Sequence, residues 1–223
     1  MGTAKLSRKE REFQRHRQEI LKAALKMFSE SGFHGVTMQD IARESEFAVG
    51  TLYKFFQSKE DLYGGLLLEK IDEMQHTFDA ILEGDKDEIE GIRGFLEALT
   101  RFTRKNANFF RLYLVEIYRT GSPVLSSIGM ELKERHEREI ARLAGVFERG
   151  VKNKVFRDFD PSLMAAVLHG MISGLIIRYL EQGDRYPLDV DTIMEIFFGS
   201  ILLDQPDCRD RATGDPHDAP FRK

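Results

Sequence analysis

The chain has 223 residues, enough for one large or two small domains, with 42% hydrophobic and 31% charged side chains, an ordinary globular composition. Its net charge of −4 excludes a polycation, and its single cysteine, Cys208, excludes an intramolecular disulfide and fits a reducing cytoplasm. No apolar run approaches the roughly 20 residues that a membrane span needs, and the opening M-G-T-A-K-L-S-R-K-E has no apolar signal core.

Charge is unevenly spread. Between Met1 and Lys26 stand eight basic and three acidic residues, so one end of an acidic chain is locally positive. That asymmetry suits a phosphate-binding surface, and equally a solvated amphipathic helix. Ser7-x-x-Glu10 reads as a capping box, and Phe13, Ile20, Leu21, Ala24, Leu25 and Phe28 form the apolar stripe of a first long helix. The basic residues before Ile20 are expected to form an arm toward a DNA minor groove or to be disordered. Gly32 and Gly35 end this helix.

Thr37, with Asp40 three residues on, opens a short second helix whose inner face is Met38, Ile41 and Ala42. Ser45-Glu46-Phe47 makes a turn, and a third helix begins near Ala48 with Leu52, Phe55 and Phe56 turned inward. Two short helices across a turn of about three residues form a helix-turn-helix, whose second helix can enter a DNA major groove. The DNA-facing candidates are Thr37, Gln39, Ala48, Val49, Gly50, Thr51, Tyr53, Lys54 and Lys59. Tyr53 and Lys59 are expected to hold phosphates, Lys59 from a helix first turn, while Val49 and Thr51 set base preference.

In these residues the sequence resembles the TetR family of bacterial transcriptional regulators. The resemblance spans roughly Ile20 to Leu66 and rests on Ile20, Ala23, Ala24, Phe28, Gly32, Phe33, Gly35, Thr37, Ile41, Ala42, Gly50, Thr51, Leu52, Tyr53, Phe56, Lys59 and Leu62. It implies an all-helical homodimer that represses transcription by binding a palindromic operator and releases DNA when a small hydrophobic molecule binds its C-terminal half. Three positions depart from the family pattern. Glu46 stands where the family has Gly, so the turn needs a left-handed residue or another geometry. Ala48 replaces a capping Ser or Thr, and Val49 a common Lys, so operator preference should differ.

Ser58 with Asp61 opens a helix to about Leu82, with Tyr63, Leu67, Ile71, Met74, Phe78 and Ile81 as its stripe. Gly64-Gly65 within it reads as a close approach of another backbone or as a hinge. After a polar turn at Gly84-Asp85, a helix carries Ile92, Phe95, Leu96, Leu99 and Phe102, and Asn106-Ala107-Asn108 breaks it. Phe109 to Tyr118 is apolar nearly all round. Gly121-Ser122-Pro123 precedes a long helix to about Lys154, with Ile128, Leu132, His136, Ile140, Leu143, Phe147 and Val151 inward. Its E-L-K-E-R-H-E-R-E run reads as a solvated face with charge pairs.

The resemblance puts the effector site among these middle helices, where the chain supplies Phe102, Phe109, Phe110, Tyr113, Glu116, Tyr118, His136, Phe147 and Met171. Glu116, in the most apolar helix, needs water, a cation such as Arg119, or a ligand's positive charge. The alternatives for the aromatics and for His136 are ordinary core positions.

Helices from Pro161 to Leu180 and from about Asp189 to Leu202 are too apolar for one buried face. The excess is expected to meet a second copy through Leu163, Val167, Gly170, Gly174, Ile177, Ile193, Phe197, Ser200 and Ile201, or to pack inside the monomer. Residues 204–223 hold three of the six prolines and read as a disordered tail. The expected plan is all-α: residues 1–57 a three-helix DNA-binding domain and 58–203 a larger effector-binding and dimerisation domain, with 58–82 as connecting helix. The histidines show no ligand spacing and no nucleophile sits beside a base, so no metal, cofactor or catalytic activity is expected. An activator, a ligand-independent regulator, or a helical enzyme carrying a helix-turn-helix remain as alternatives.

Overall fold

The computed structural model describes residues 7–82, 87–118 and 126–202, and among these the fold is entirely helical apart from one isolated bridge, Phe156 to Leu202. The helices are α1 (Arg8–Ser31), α2 (Met38–Glu44), α3 (Val49–Leu52), α4 (Lys59–Leu82), α5 (Glu88–Lys105), α6 (Ala107–Tyr118), α7 (Ser126–Lys152), α8 (Pro161–Gln182) and α9 (Val190–Ile201). The tail, the turn at Gly84-Asp85, Gly121-Ser122-Pro123, Arg119 and Cys208 lie outside the described residues.

Local chemistry fixes the helix starts. Ser7 and Glu10 exchange bonds as a full capping box, and so do Thr37 and Asp40. At α4 the box is shifted: Ser58 Oγ accepts from the Asp61 amide, while Asp61 reaches back to the Gln57 amide at 2.7 Å. Asp87, Asp160 and Asp189 cap α5, α8 and α9, with Pro161 in the first turn of α8.

The N-terminal basic segment is helix from Arg8 onward, not an arm. Phe13 packs on Phe55 at 4.5 Å, His16 on Phe47 at 5.1 Å, and Arg17 pairs with Glu69 of α4. The helix persists because these side chains reach across to the helix-turn-helix and to α4.

The C-terminal half is a bundle in which α4 and α7 run side by side in the same direction. Gly64 faces Ile128, Asp72 pairs with Arg135, and Asp79 pairs with Arg142, so each step along one helix is matched along the other. At Gly64 a β-carbon would lie 2.2 Å from Ile128 Cδ1, whereas at Gly65 the nearest atom would be 3.5 Å away. Gly64 is therefore a close-packing contact within a continuous helix, made by the Ile128 side chain and not by another backbone. One expectation needs amending. At 22 residues and mean hydropathy 1.6, α8 is long and apolar enough to cross a membrane by length and composition. Its inner face, with Met164, Leu168, Ile172 and Ile176, is buried in the core of the bundle.

Candidate functional site

The helix-turn-helix is built around Ile41, Ala42 and Leu52, which are buried against Ile20, Ala24 and Phe28 of α1. The turn takes the left-handed solution: Glu46 has φ 59°, a strain a glycine would avoid. Ala48 begins α3 without a side-chain cap, and α3 itself is only one turn. Ala48, Gly50, Tyr53 and Lys54 are exposed, with Thr37 and Gln39 beside them at the start of α2. Val49 and Thr51 are half-buried. The outer surface is thus small and polar, with the Tyr53 ring standing 51% exposed.

Lys59 differs from expectation. Its ammonium donates to the carbonyls of Phe33 and Val36, each at 2.9 Å, and lies 4.1 Å from the Phe33 ring centroid. The charge ties α4 to the α1–α2 loop, with two of its three N–H donors directed at carbonyl oxygens. Lys59→Ala should therefore lower stability by about 1.5–3 kcal/mol, the worth of hydrogen bonds to a charged group. Thermal denaturation checks this; an unchanged melting temperature with a reduced salt dependence of DNA binding would restore the phosphate role.

In the C-terminal half, α4, α5, α6, α7 and α8 enclose a cavity of about 40 Å³. Met74, Phe78, Phe95, Leu99, Phe110 and Ile172 supply its apolar wall, and Tyr113, His136, Glu139, His169 and Ser173 its polar groups. Tyr113 Oη and His136 Nδ1 are 2.9 Å apart, and the His136 and His169 rings meet edge to face at 4.4 Å. Glu139 is only 7% exposed, and neither of its carboxyl oxygens has a hydrogen-bond partner. The nearest cation, Arg142, approaches to 3.9 Å, too far for a hydrogen bond, and is engaged by Asp79.

Burial pushes the Glu139 carboxyl up to about 7 and the His169 imidazole down to about 4; burial also lowers His136 and raises the Tyr113 phenol. For Glu139 the folded state holds its proton above the ordinary value of 4.5. Its unfavourable effect on stability therefore grows as pH rises from 4.5 to about 7 and is constant above that. His169 acts oppositely, costing stability as pH falls from 6.5 toward 4. A comparison of wild type with Glu139→Gln isolates the first effect. The variant should gain about 1–3 kcal/mol relative to wild type across that interval, read from denaturation midpoints at several pH values. A pH-independent difference would contradict the burial of an ionisable Glu139.

Of the nine effector candidates, Phe110, Tyr113 and His136 line this cavity. Phe102 and Phe109 sit in an aromatic cluster beside it, with Phe109 stacked on Tyr113 at 5.4 Å. Phe147 is core, packed on Phe156 and Phe197. Met171 is half-buried, and Tyr118 is half-exposed with its ring 6.4 Å from His136. Neither lines the cavity. Glu116 accepts a 3.0 Å hydrogen bond from Tyr63 of α4, a partner the sequence did not suggest, and Arg119 lies outside the described residues. Glu139 and His169 were missed. Glu139 is the last residue of the charged run taken for a solvated face, but it stands three residues after His136, on the same side of α7.

The α8 face away from the bundle carries Leu163, Val167 and Ile177 at 61, 54 and 39% exposure, with Gly170 and Gly174 exposed between them. Their alternating spacing of four and three residues makes one continuous apolar seam. On α9 the exposed apolar residue is Ile196, at 64%. Ile193, Phe197 and Ile201 are at most 7% exposed and pack into the chain's own core, which corrects their place on the outer face. The Ser200 side chain lies outside the described residues.

Residues 20–66 match the family model described as bacterial regulatory proteins, tetR family. The chain is 27% identical over 175 residues to the HTH-type transcriptional regulator YhgD of Bacillus subtilis, covering 78% of this chain and 88% of that one. It is 26% identical over 198 residues to the HTH-type transcriptional repressor DhaR of Mycobacterium sp., covering 83% and 92%. The fold is that of the transcriptional regulator FadR of Bacillus subtilis solved in complex with stearoyl-CoA, with a TM-score of 0.70 at 18% identity over 81% of this chain and 96% of that one. Residues 20–66 are thus a helix-turn-helix unit of the tetR family of bacterial regulatory proteins, the likeness to HTH-type regulators runs well beyond that unit, and the chain is a transcriptional regulator.

Proposed function

We propose that the chain is a cytoplasmic repressor that binds a palindromic operator as a homodimer and leaves it when a small hydrophobic molecule enters the cavity between α4 and α8. Residues 1–57 contact DNA through Thr37, Gln39, Ala48, Val49, Gly50, Thr51, Tyr53 and Lys54, and residues 58–203 sense the ligand and dimerise through the α8 seam. The repressor DhaR and the stearoyl-CoA complex of FadR support a DNA-binding unit and a ligand-binding bundle on one chain.

The observation that carries this reading is the parallel pairing of α4 with α7. Helix α7 lines the cavity with His136 and Glu139, and about 12–16 Å away along the same helix Ile128 fills the space over Gly64. Gly64 lies one turn into the helix that leads from the DNA-binding unit. A ligand that displaces α7 thus acts on α4 through one tight contact and two ion pairs. It shifts the balance between two dimer forms only if it binds one of them better.

The test is a panel of hydrophobic compounds scored first by melting temperature and then added to the protein–DNA complex. Stabilising compounds should release DNA. Stabilisation without release would remove the coupling, and no stabilisation at all would remove the effector role. At about 40 Å³ the cavity is small, which favours a second reading, a regulator that works without a ligand or that activates. A footprint upstream of the promoter and insensitive to the panel would support it.

A further inference from the structure

We infer that the cavity beside Glu139 binds an organic ammonium carried on an apolar body, with the Glu139 carboxylate as its counter-ion. This rests on reading the C-terminal half as the effector domain and names the ligand class it takes.

The argument starts from what the other polar groups of the cavity already do. Tyr113 and His136 are bonded to each other, and the His136 ring abuts His169. Arg142 is held by Asp79 and stands 3.9 Å from Glu139. Glu139 alone lines the cavity with both oxygens unpartnered, at 7% exposure. A buried carboxyl left so is costly, and natural chains shed such groups unless something pairs them.

Four ligand classes can be compared. A carboxylate would bring a second negative charge against Glu139 in a site with no lysine or arginine in its lining. A hydrocarbon would leave both oxygens orphaned. An alcohol would satisfy one oxygen and leave a charge uncompensated. An ammonium supplies several N–H donors and the compensating charge, and Phe78, Phe110 and Tyr113 give it aromatic surface. Both histidines are biased to neutrality by burial, so they do not compete for the carboxylate as cations. The cavity holds a group of about head-group size. The apolar body has to part its wall, where the unbranched Met74 of α4 is the most adaptable member. Parting α4 from its neighbours is the movement that the DNA-binding end would feel.

The experiment uses the full-length protein and three probes of equal length: octylamine, octanol and octanoate. Binding is measured by calorimetry for wild type and Glu139→Gln, with DNA release measured in parallel. Octylamine should bind most tightly, and the substitution should weaken it tenfold or more while changing octanol less than threefold. Without ligand, Glu139→Gln should melt at or above the wild-type temperature, since it removes a buried charge that has no hydrogen-bond partner. Equal octylamine affinity in the two proteins overturns the inference, as does a lower melting temperature, which would make Glu139 a structural partner of Arg142. Binding and DNA release by octanol or octanoate alone also overturns it while leaving the effector domain intact. If none of the three binds, the effector reading of this cavity falls with it.

Discussion

Gly174→Arg is expected to convert the dimer to monomer and to lower operator affinity by about a thousandfold or more, since a single half-site retains little beyond non-specific binding. Gly174 lies between Val167 and Ile177 on the outer face of α8, where a second chain covers the seam in the proposed dimer. Within its own chain a β-carbon at Gly174 would meet nothing within 4 Å, so the substitution spares the fold of the monomer. Replacing a helix glycine even favours the helix by up to about 1 kcal/mol. The effect therefore falls on association: a long cation on an apolar seam would be buried without a partner. Sedimentation, with circular dichroism as a control for helix content, reads the result. A dimer that sediments unchanged would move the interface elsewhere.

Phe147→Ala should cost about 3–5 kcal/mol and lower the melting temperature by about 6–20 °C. Phe147 is fully buried, and its ring packs 5.5 Å from Phe156 and 5.8 Å from Phe197. Phe156 also closes over Gly150, where a β-carbon would lie 2.2 Å from the ring, so the cluster has no slack to refill the hole. This joint holds α7 to the α7–α8 loop and to α9, away from the cavity. At a temperature where the variant is still folded, its ligand affinity should equal that of wild type. A loss below about 1 kcal/mol together with altered ligand binding would put Phe147 back in the effector site.

These two residues show where sequence suffices and where it does not. The α8 seam was legible because Leu163, Val167, Gly170, Gly174 and Ile177 repeat at helical spacing and exceed what one buried face needs. On α9 the same logic fails. Ile193, Met194, Ile196, Phe197, Phe198 and Ile201 are apolar nearly all round, so periodicity cannot say that Ile196 is the one left outside. Capping boxes at Ser7 and Thr37 were readable, because each depends on neighbours in the chain, whereas at Glu46 the sequence left a left-handed residue and another turn geometry both open.

Contacts between distant segments were not readable. Tyr63 reaching Glu116, and Lys59 reaching the Phe33 and Val36 carbonyls, join residues 23 to 53 apart, and no local pattern specifies either. The aromatic residues of the middle helices could not be sorted into core and cavity wall for the same reason. Glu139 was hidden by its company: in a run of alternating charge the default is solvent, and only its position one turn from the inward His136 marked it as buried.

The most direct test of the central claim is selection of bound duplexes from a random DNA pool by the full-length protein. The account predicts enrichment of an inverted repeat whose half-sites are centred about 34–36 Å apart, one helical turn, to match two recognition helices related by a two-fold axis. Recovery of unenriched sequence, or of a lone half-site with no symmetric mate, would contradict a dimeric, sequence-specific regulator.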